Sequence, residues 1–196
     1  MKMKIILLIL GIIAILFILS QLYFMSSQRN IEQYSFEVLE TYDEIEIRQY
    51  EASLVTSVQL SSNDYKKSSS KGFSILAGYI FGGNDKNEKI AMTSPVSMTL
   101  KDSTTMMFLV PKKYLKENLP TPNDASIEFK NVPAKKVAAI SFGGWANDAK
   151  INLYKRKLIA ALDSKGIGYT NSFSFLGYNA PVEVFNRKNE IIVELE

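Results

Sequence analysis

The chain has 196 residues, 46% of them apolar, enough for one buried core plus an appendage. It contains no cysteine and no histidine, which excludes disulfides, thiolate nucleophiles, Cys-ligated zinc, iron–sulfur clusters and the Ser-His-Asp and Cys-His catalytic designs. Of its 23 Lys and Arg residues, Lys2 and Lys4 belong to the N-terminal segment; the remaining 21 stand against 20 Asp and Glu, with no basic stripe of the kind a nucleic-acid surface needs.

Residues 5–25 read IILLILGIIAILFILSQLYFM, with no charge between Lys4 and Arg29. At about 1.5 Å per residue this run is long enough to cross a hydrocarbon core. Lys2 and Lys4 precede it and Arg29 alone follows closely, so the positive-inside rule predicts a cytoplasmic N-terminus and a domain on the extracytoplasmic side. A cleaved signal peptide wants a shorter apolar run and small residues at its cleavage site, and a lipoprotein signal wants a cysteine. Residues 1–25 are therefore read as an uncleaved single-pass anchor, with Tyr23 and Phe24 suited to the far interface. The polar stretch 26–35 reads as a linker and 36–196 as one domain.

In that domain Ile45 and Ile47 alternate with Glu44, Glu46 and Arg48, and a second β-prone run from Leu54 to Val58 follows Glu51 and Ala52, a pattern that suggests a hairpin. Asp64 is placed to cap a helix over 65–81, with Phe73, Leu76, Ala77 and Ile80 on one face and Gly82 and Gly83 ending it. Strands are predicted at 96–101 and 104–110, a helical turn at 112–118, and β-prone runs at 127–130 and 136–142. Asn147 is placed to cap a second helix, over 148–163, whose apolar face is Ile151, Tyr154, Leu158, Ile159 and Leu162; strands at 172–178 and 191–195 complete the chain. Strand–strand–helix–strand–strand thus occurs twice, which predicts two fused half-domains sharing one sheet or barrel, with a small-molecule groove between the helices.

Four segments carry a resemblance. Glu46-Ile47-Arg48-Gln49-Tyr50 matches the pattern Y-E-I/V-R-x-Y at every position but the first, which is Ile45 here, and Ile90-Ala91-Met92-Thr93-Ser94-Pro95-Val96 contains M-T-x-P-V. Phe108-Leu109-Val110-Pro111 is followed by Pro120-x-Pro122 and Phe142-Gly143-Gly144, and Gly177-Tyr178-Asn179-Ala180-Pro181-Val182 by Asn186-Arg187-Lys188-Asn189-Glu190. In this order they resemble the SOUL family of haem-binding proteins. The resemblance implies an α+β fold, a distorted antiparallel β-barrel with two flanking helices and a repeated half, in agreement with the pseudo-duplicated ββαββ halves read above; the N-terminal transmembrane helix read from residues 5–25 precedes it. It also implies non-covalent binding of haem or another tetrapyrrole in a hydrophobic cleft, and no enzymatic role. Some animal members have a histidine, implicated as an axial ligand, where this chain has Gln49. Haem iron would here accept Met92, Met98, a tyrosinate or water, or the porphyrin would be gripped by its faces and propionates.

The candidate ligand-binding residues are Arg48, Gln49, Met92, Phe142 and Tyr178, with no catalytic residue and no protein metal site. The Arg48 guanidinium matches a propionate fork, or else belongs to a strand-face arginine paired with a nearby glutamate. Met92, within a methionine-rich stretch that includes Met98, Met106 and Met107, suits an adaptable pocket, and core filling is the other use of such residues. Phe142 and Trp145 beside Gly143 and Gly144 are placed to line a cleft or to pack a core; Tyr178 is placed to stack on a flat ligand or to bury its ring. Lys86 and Lys89 read as a solvated loop. Gly82-Gly83 makes no phosphate loop, and Ser94 has no base beside it in sequence. The expected function is tetrapyrrole binding for transport, buffering or sensing at the membrane surface; the alternative is a protein-interaction domain that kept the fold and lost the ligand.

Overall fold

A computed structural model describes residues 2–28, 31–61, 64–100 and 103–196. Arg29, on which the orientation of the anchor partly rests, and Lys101, the expected end of one strand, lie outside the described residues. Helix α1 (Lys2–Gln28) precedes β1 (Phe36–Thr41), β2 (Ile45–Tyr50), β3 (Ser53–Leu60), α2 (Tyr65–Ile80), β4 (Val96–Thr99) and β5 (Thr104–Leu109). After a 3-10 turn at Lys116–Asn118 come β6 (Ile127–Val132), β7 (Lys135–Gly143), α3 (Asp148–Lys165), β8 (Tyr169–Gly177) and β9 (Lys188–Leu195).

Among the described residues the nine strands form one sheet in the order β1-β2-β7-β9-β8-β4-β5-β3-β6, every pairing antiparallel. Without β1 this order is symmetric about the β4–β8 contact: β2-β7-β9-β8 on one side corresponds to β6-β3-β5-β4 on the other. The duplication expected from the sequence is therefore a pseudo-two-fold, in which β2, β3, α2, β4 and β5 answer to β6, β7, α3, β8 and β9. Each half lends its first strand to the other: β2 pairs with β7 and β6 with β3.

That exchange corrects the expected hairpin. β2 and β3 do not pair with each other; β2 lies between β1 and β7, and β3 between β5 and β6. Glu51 and Ala52 supply none of the positive-φ residues that a two-residue hairpin turn requires, and Glu51 N–H instead donates to the Ser35 carbonyl at 3.0 Å. The corner has a structural effect. Tyr50 and Ser53 end strands at the second and eighth positions of the sheet, yet three Cα steps reach at most about 11 Å. The sheet must curl until its two ends approach, and Pro133 and Ala134 impose the same constraint between β6 and β7. The result is a distorted barrel that does not close.

One face of the curl carries the main core. Ile47, Val58, Met106, Phe108, Ile140 and Val193 pack there against Leu76, Tyr79 and Ile80 of α2 and Ile151, Leu158 and Leu162 of α3. Strand alternation sends Tyr50, Val137, Ala139, Leu176 and Ile192 to the opposite, inner face, where they form a smaller cluster. Both helices begin at the expected caps: Asp64 accepts from Lys67 N–H and Asn147 from Lys150 N–H, each at 2.9 Å. Asp64→Ala or Asn147→Ala is expected to cost about 1 kcal/mol, read as a lower urea midpoint with unchanged slope. Residues 31–35 of the expected linker are tied to the domain: Ser94 N–H donates to the Glu32 carbonyl, Lys112 N–H to the Glu32 carboxylate, and Tyr34 meets Tyr50 edge-on at 6.0 Å.

Helix α1 contains a 19-residue stretch, Met3–Gln21, long and apolar enough to cross a membrane and with no part of it packed on the domain except near its end. Gln21 is the exception. Its amide is buried against the loop before β9, donating to the Val182 carbonyl at 3.2 Å and accepting from Val184 N–H at 3.1 Å.

Candidate functional site

Two places in the domain gather chemistry. The first lies inside the curl, where β2, β7 and β9 run side by side. Arg48 and Glu190, 142 residues apart in sequence, are 3% and 0% exposed and meet in a two-pronged ion pair, Nη1 to Oε2 at 2.9 Å and Nη2 to Oε1 at 3.0 Å. Glu46 takes the Arg48 Nε–H at 2.8 Å, and the ring of Phe36 lies 4.5 Å from the guanidinium carbon. Glu190 also accepts from Ser141 Oγ at 3.0 Å and Tyr178 OH at 2.6 Å and pairs with Lys188 Nζ at 3.1 Å. Register produces this convergence: Ser141 faces Glu190 across β7 and β9, and Tyr178 follows the last residue of β8.

Burial alone would raise the Glu190 carboxyl, but the hydrogen bonds and charge of Arg48, with Tyr178 and Lys188, hold it at about 2. Burial and the Glu190 charge push the Tyr178 phenol well up, and burial first, then Glu190, raises Tyr50. A carboxylate held that low between phenols held that high is a fixed ion pair, unsuited to carrying protons at neutral pH. Beside this network the inner face encloses a cavity of about 230 Å³ touched by eight strands, with Tyr34, Tyr50, Met107, Leu176 and Ile192 on its wall.

The second place is a groove of about 620 Å³ on the outer face, at the pseudo-two-fold axis where the first turns of α2 and α3 meet. Tyr65 N–H, opening α2, donates to the carboxylate of Asp148, opening α3, at 3.0 Å. Met98, Leu100 and Ile151 form an apolar floor, Asn152 and Lys155 a polar rim, and the Tyr65 ring stands edge-on to Phe175 at 5.2 Å. Lys155 Nζ sits 4.3 Å from the centre of the Phe173 ring.

A groove of this size and mixed lining fits a planar amphipathic ring, whereas the inner cavity falls below the range of small-molecule sites. For an iron at the ring's centre the lining offers the Met98 thioether and the Tyr65 phenol. Among the described residues no three His, Cys, Asp or Glu gather to hold a metal. The residues thus suit the porphyrin better than they suit its iron.

The five sequence candidates do not converge on one site. Arg48 and Tyr178 are brought together through Glu190, so Arg48 adopts the glutamate-paired arrangement and not an open fork. Gln49, the next residue along β2, donates its amide to the Tyr50 carbonyl at 3.3 Å. Phe142 is buried beneath α3, stacked on Tyr154 at 4.4 Å, and Met92 is half-buried against the same core. Glu190 was not among the candidates. The sequence places it at the head of the apolar run Ile191-Ile192-Val193, where strand alternation turns an acidic side chain inward, and that is the signal that marks it. Of the groove's residues, Met98 is marked in sequence only as one of several methionines that haem iron could accept, and Tyr65 and Lys155 carry no comparable mark.

The architecture is that of a pseudo-duplicated antiparallel α+β domain with a ligand-sized groove on its symmetry axis. The family model described as SOUL heme-binding protein matches residues 31–194, and the chain belongs to that family. It is 26% identical over 154 residues to Heme-binding protein 1 of Xenopus laevis, covering 74% of this chain and 80% of that protein. With Heme-binding protein 2 of Homo sapiens the identity is 28% over 154 residues, covering 74% and 75%. Among solved structures the C-terminal domain of EcmrR superimposes with a TM-score of 0.61 at 14% identity, covering 78% of this chain and 97% of that one. A hydrolase from Listeria innocua gives 0.51 at 7%, covering 81% and 94%. These last two likenesses show the fold alone.

Proposed function

We propose that this domain binds haem or a related tetrapyrrole without catalysing its conversion, in the groove between the first turns of α2 and α3, and that α1 tethers it to a membrane. The groove on the symmetry axis is the observation that carries this reading, in a chain whose family and relatives bear haem-binding names. Met98, Leu100 and Ile151 would face the ring, and Lys155 would meet a propionate at the rim. Arg48 and Tyr178 contribute through Glu190 by fixing the inner face, while Phe142 packs beneath α3 against Tyr154 and Phe175, and Met92 packs against the main core. With Lys2 and Lys4 before the span, the positive-inside rule places the domain on the extracytoplasmic face, for transport, buffering or sensing of the ligand there.

Titration of hemin into the domain, followed at the Soret band beside an albumin control, tests the reading. Saturable one-to-one binding is expected, weakened about fivefold by Lys155→Glu, the equivalent of about 1 kcal/mol for one partly exposed charge contact. Flat or unsaturable absorbance would sink the proposal and favour the protein-interaction domain.

A further inference from the structure

We propose that the loop joining β8 to β9, together with Trp145, is a second membrane contact that lays the domain against the bilayer surface. The proposal rests on α1 being a membrane span. Residues 180–187 invert the usual polarity of a surface loop. Glu183 is buried and accepts from Asn179 Nδ2 at 2.8 Å and Ala180 N–H at 2.9 Å; Arg187 turns inward to donate to the Ala180 and Glu183 carbonyls at 2.9 and 2.6 Å. The apolar side chains point out instead, with Val182 52%, Val184 43% and Phe185 52% exposed. Trp145, 54% exposed, joins this surface through the Arg187 guanidinium, whose carbon lies 3.9 Å from its ring centre.

The occupant follows from what the loop is fastened to. Gln21 binds the backbone of Val182 and Val184 on both sides of its amide, so the loop sits at the level of residue 21 along α1. Met3–Gln21 has 19 residues and is about 28 Å long, close to the roughly 30 Å of a hydrocarbon core. Gln21 therefore marks the boundary between acyl chains and headgroups, the depth at which exposed Trp and Phe side chains are favoured. A hydrogen-bonded pair at that level also satisfies the Gln21 amide, which an isolated helix would present to lipid. Helix α3, whose first turn lines the groove, begins three residues after Trp145, so the groove lies near the same face.

Trp145 is the chain's single tryptophan, which makes its emission a site-specific reporter. The full-length chain would be reconstituted into phosphatidylcholine vesicles, with and without lipid brominated in the upper acyl chain, and separated by flotation. Expected is co-flotation with Trp145 emission shifted to the blue and largely lost to the brominated lipid. Val182→Asp combined with Phe185→Asp should recover most of the emission while the protein still floats. Co-flotation with unquenched Trp145 would overturn the surface contact and leave the anchor intact, and so would emission shielded from bromine by a second copy or another protein. Failure to float would overturn the anchor and this proposal together.

Discussion

Glu190→Ala is expected to destabilise the domain by about 3 kcal/mol, the lower end for breaking a buried ion pair, because it leaves the buried Arg48 with only the half-exposed Glu46 carboxylate as counter-charge. The two side chains are 3% and 0% exposed and share two hydrogen bonds, so neither can turn to water when the other is removed. Arg48→Met with Glu190→Leu removes both buried charges at similar volume and should recover most of the loss; Tyr178 and Ser141 left without their acceptor, and the part-exposed Glu46 and Lys188 left without their partners, are the residual penalty. Urea unfolding of the three forms measures this; equal stability of Glu190→Ala and the parent would refute the claim that the pair is a buried linchpin. Acid gives an independent readout. The Glu190 carboxyl titrates at about 2 in the fold against an ordinary value of 4.5, so its contribution is fully present above about pH 4.5 and is lost as pH falls toward 2. Glu190→Gln should flatten that part of the acid limb.

Much of the fold was legible because its signals are local. Asp64 and Asn147 cap the two helices as the sequence suggests, Gly82 takes the positive φ that ends α2, and the apolar periodicity of α3 puts Ile151, Leu158 and Leu162 in the core. What local signals could not supply was partnership. Two β-prone runs separated by Glu51 and Ala52 look like a hairpin until one asks for residues that tolerate positive φ, and a duplicated chain offers each strand an equally good partner in the other half. β2 and β3 took partners from both halves, and the same exchange brought Arg48 of the first half to Glu190 of the second.

The candidate site was legible in a narrower sense. The resemblance drew attention to Arg48 and Tyr178, and the two do meet, but through a glutamate whose role depends on register across three strands. The groove depends on a relation that periodicity does not encode, the abutment of two helix starts across the pseudo-two-fold, fixed by Tyr65 N–H on Asp148. Its floor residue Met98 is one of four methionines in the central region, two of which, Met98 and Met106, are buried side by side in register on β4 and β5. Flexible thioethers there fill a core and border the groove at once, so the two uses that the sequence left open are not exclusive.

Phe142 allows ligand contact and core packing to be separated by experiment. It is 5% exposed, nearly parallel to Tyr154 at 14° and 4.4 Å, and 6.4 Å from Phe175, so it joins the end of β7 to the underside of α3. Two residues on, Gly144, at φ +74°, turns the chain off the sheet, and the Asn189 amide holds the corner by donating to the Gly144 carbonyl at 2.8 Å. Phe142→Ala would leave a void under α3 that this pinned corner cannot collapse to fill. A loss of about 3–5 kcal/mol is expected, measured by urea unfolding, with α3 amides exchanging faster than those of α2. Phe142→Leu should lose far less stability and, because the ring points into the core and not into the groove, should titrate hemin like the parent. A Phe142→Leu domain that stays folded but no longer takes up hemin would move the ligand from the groove to the face of that ring.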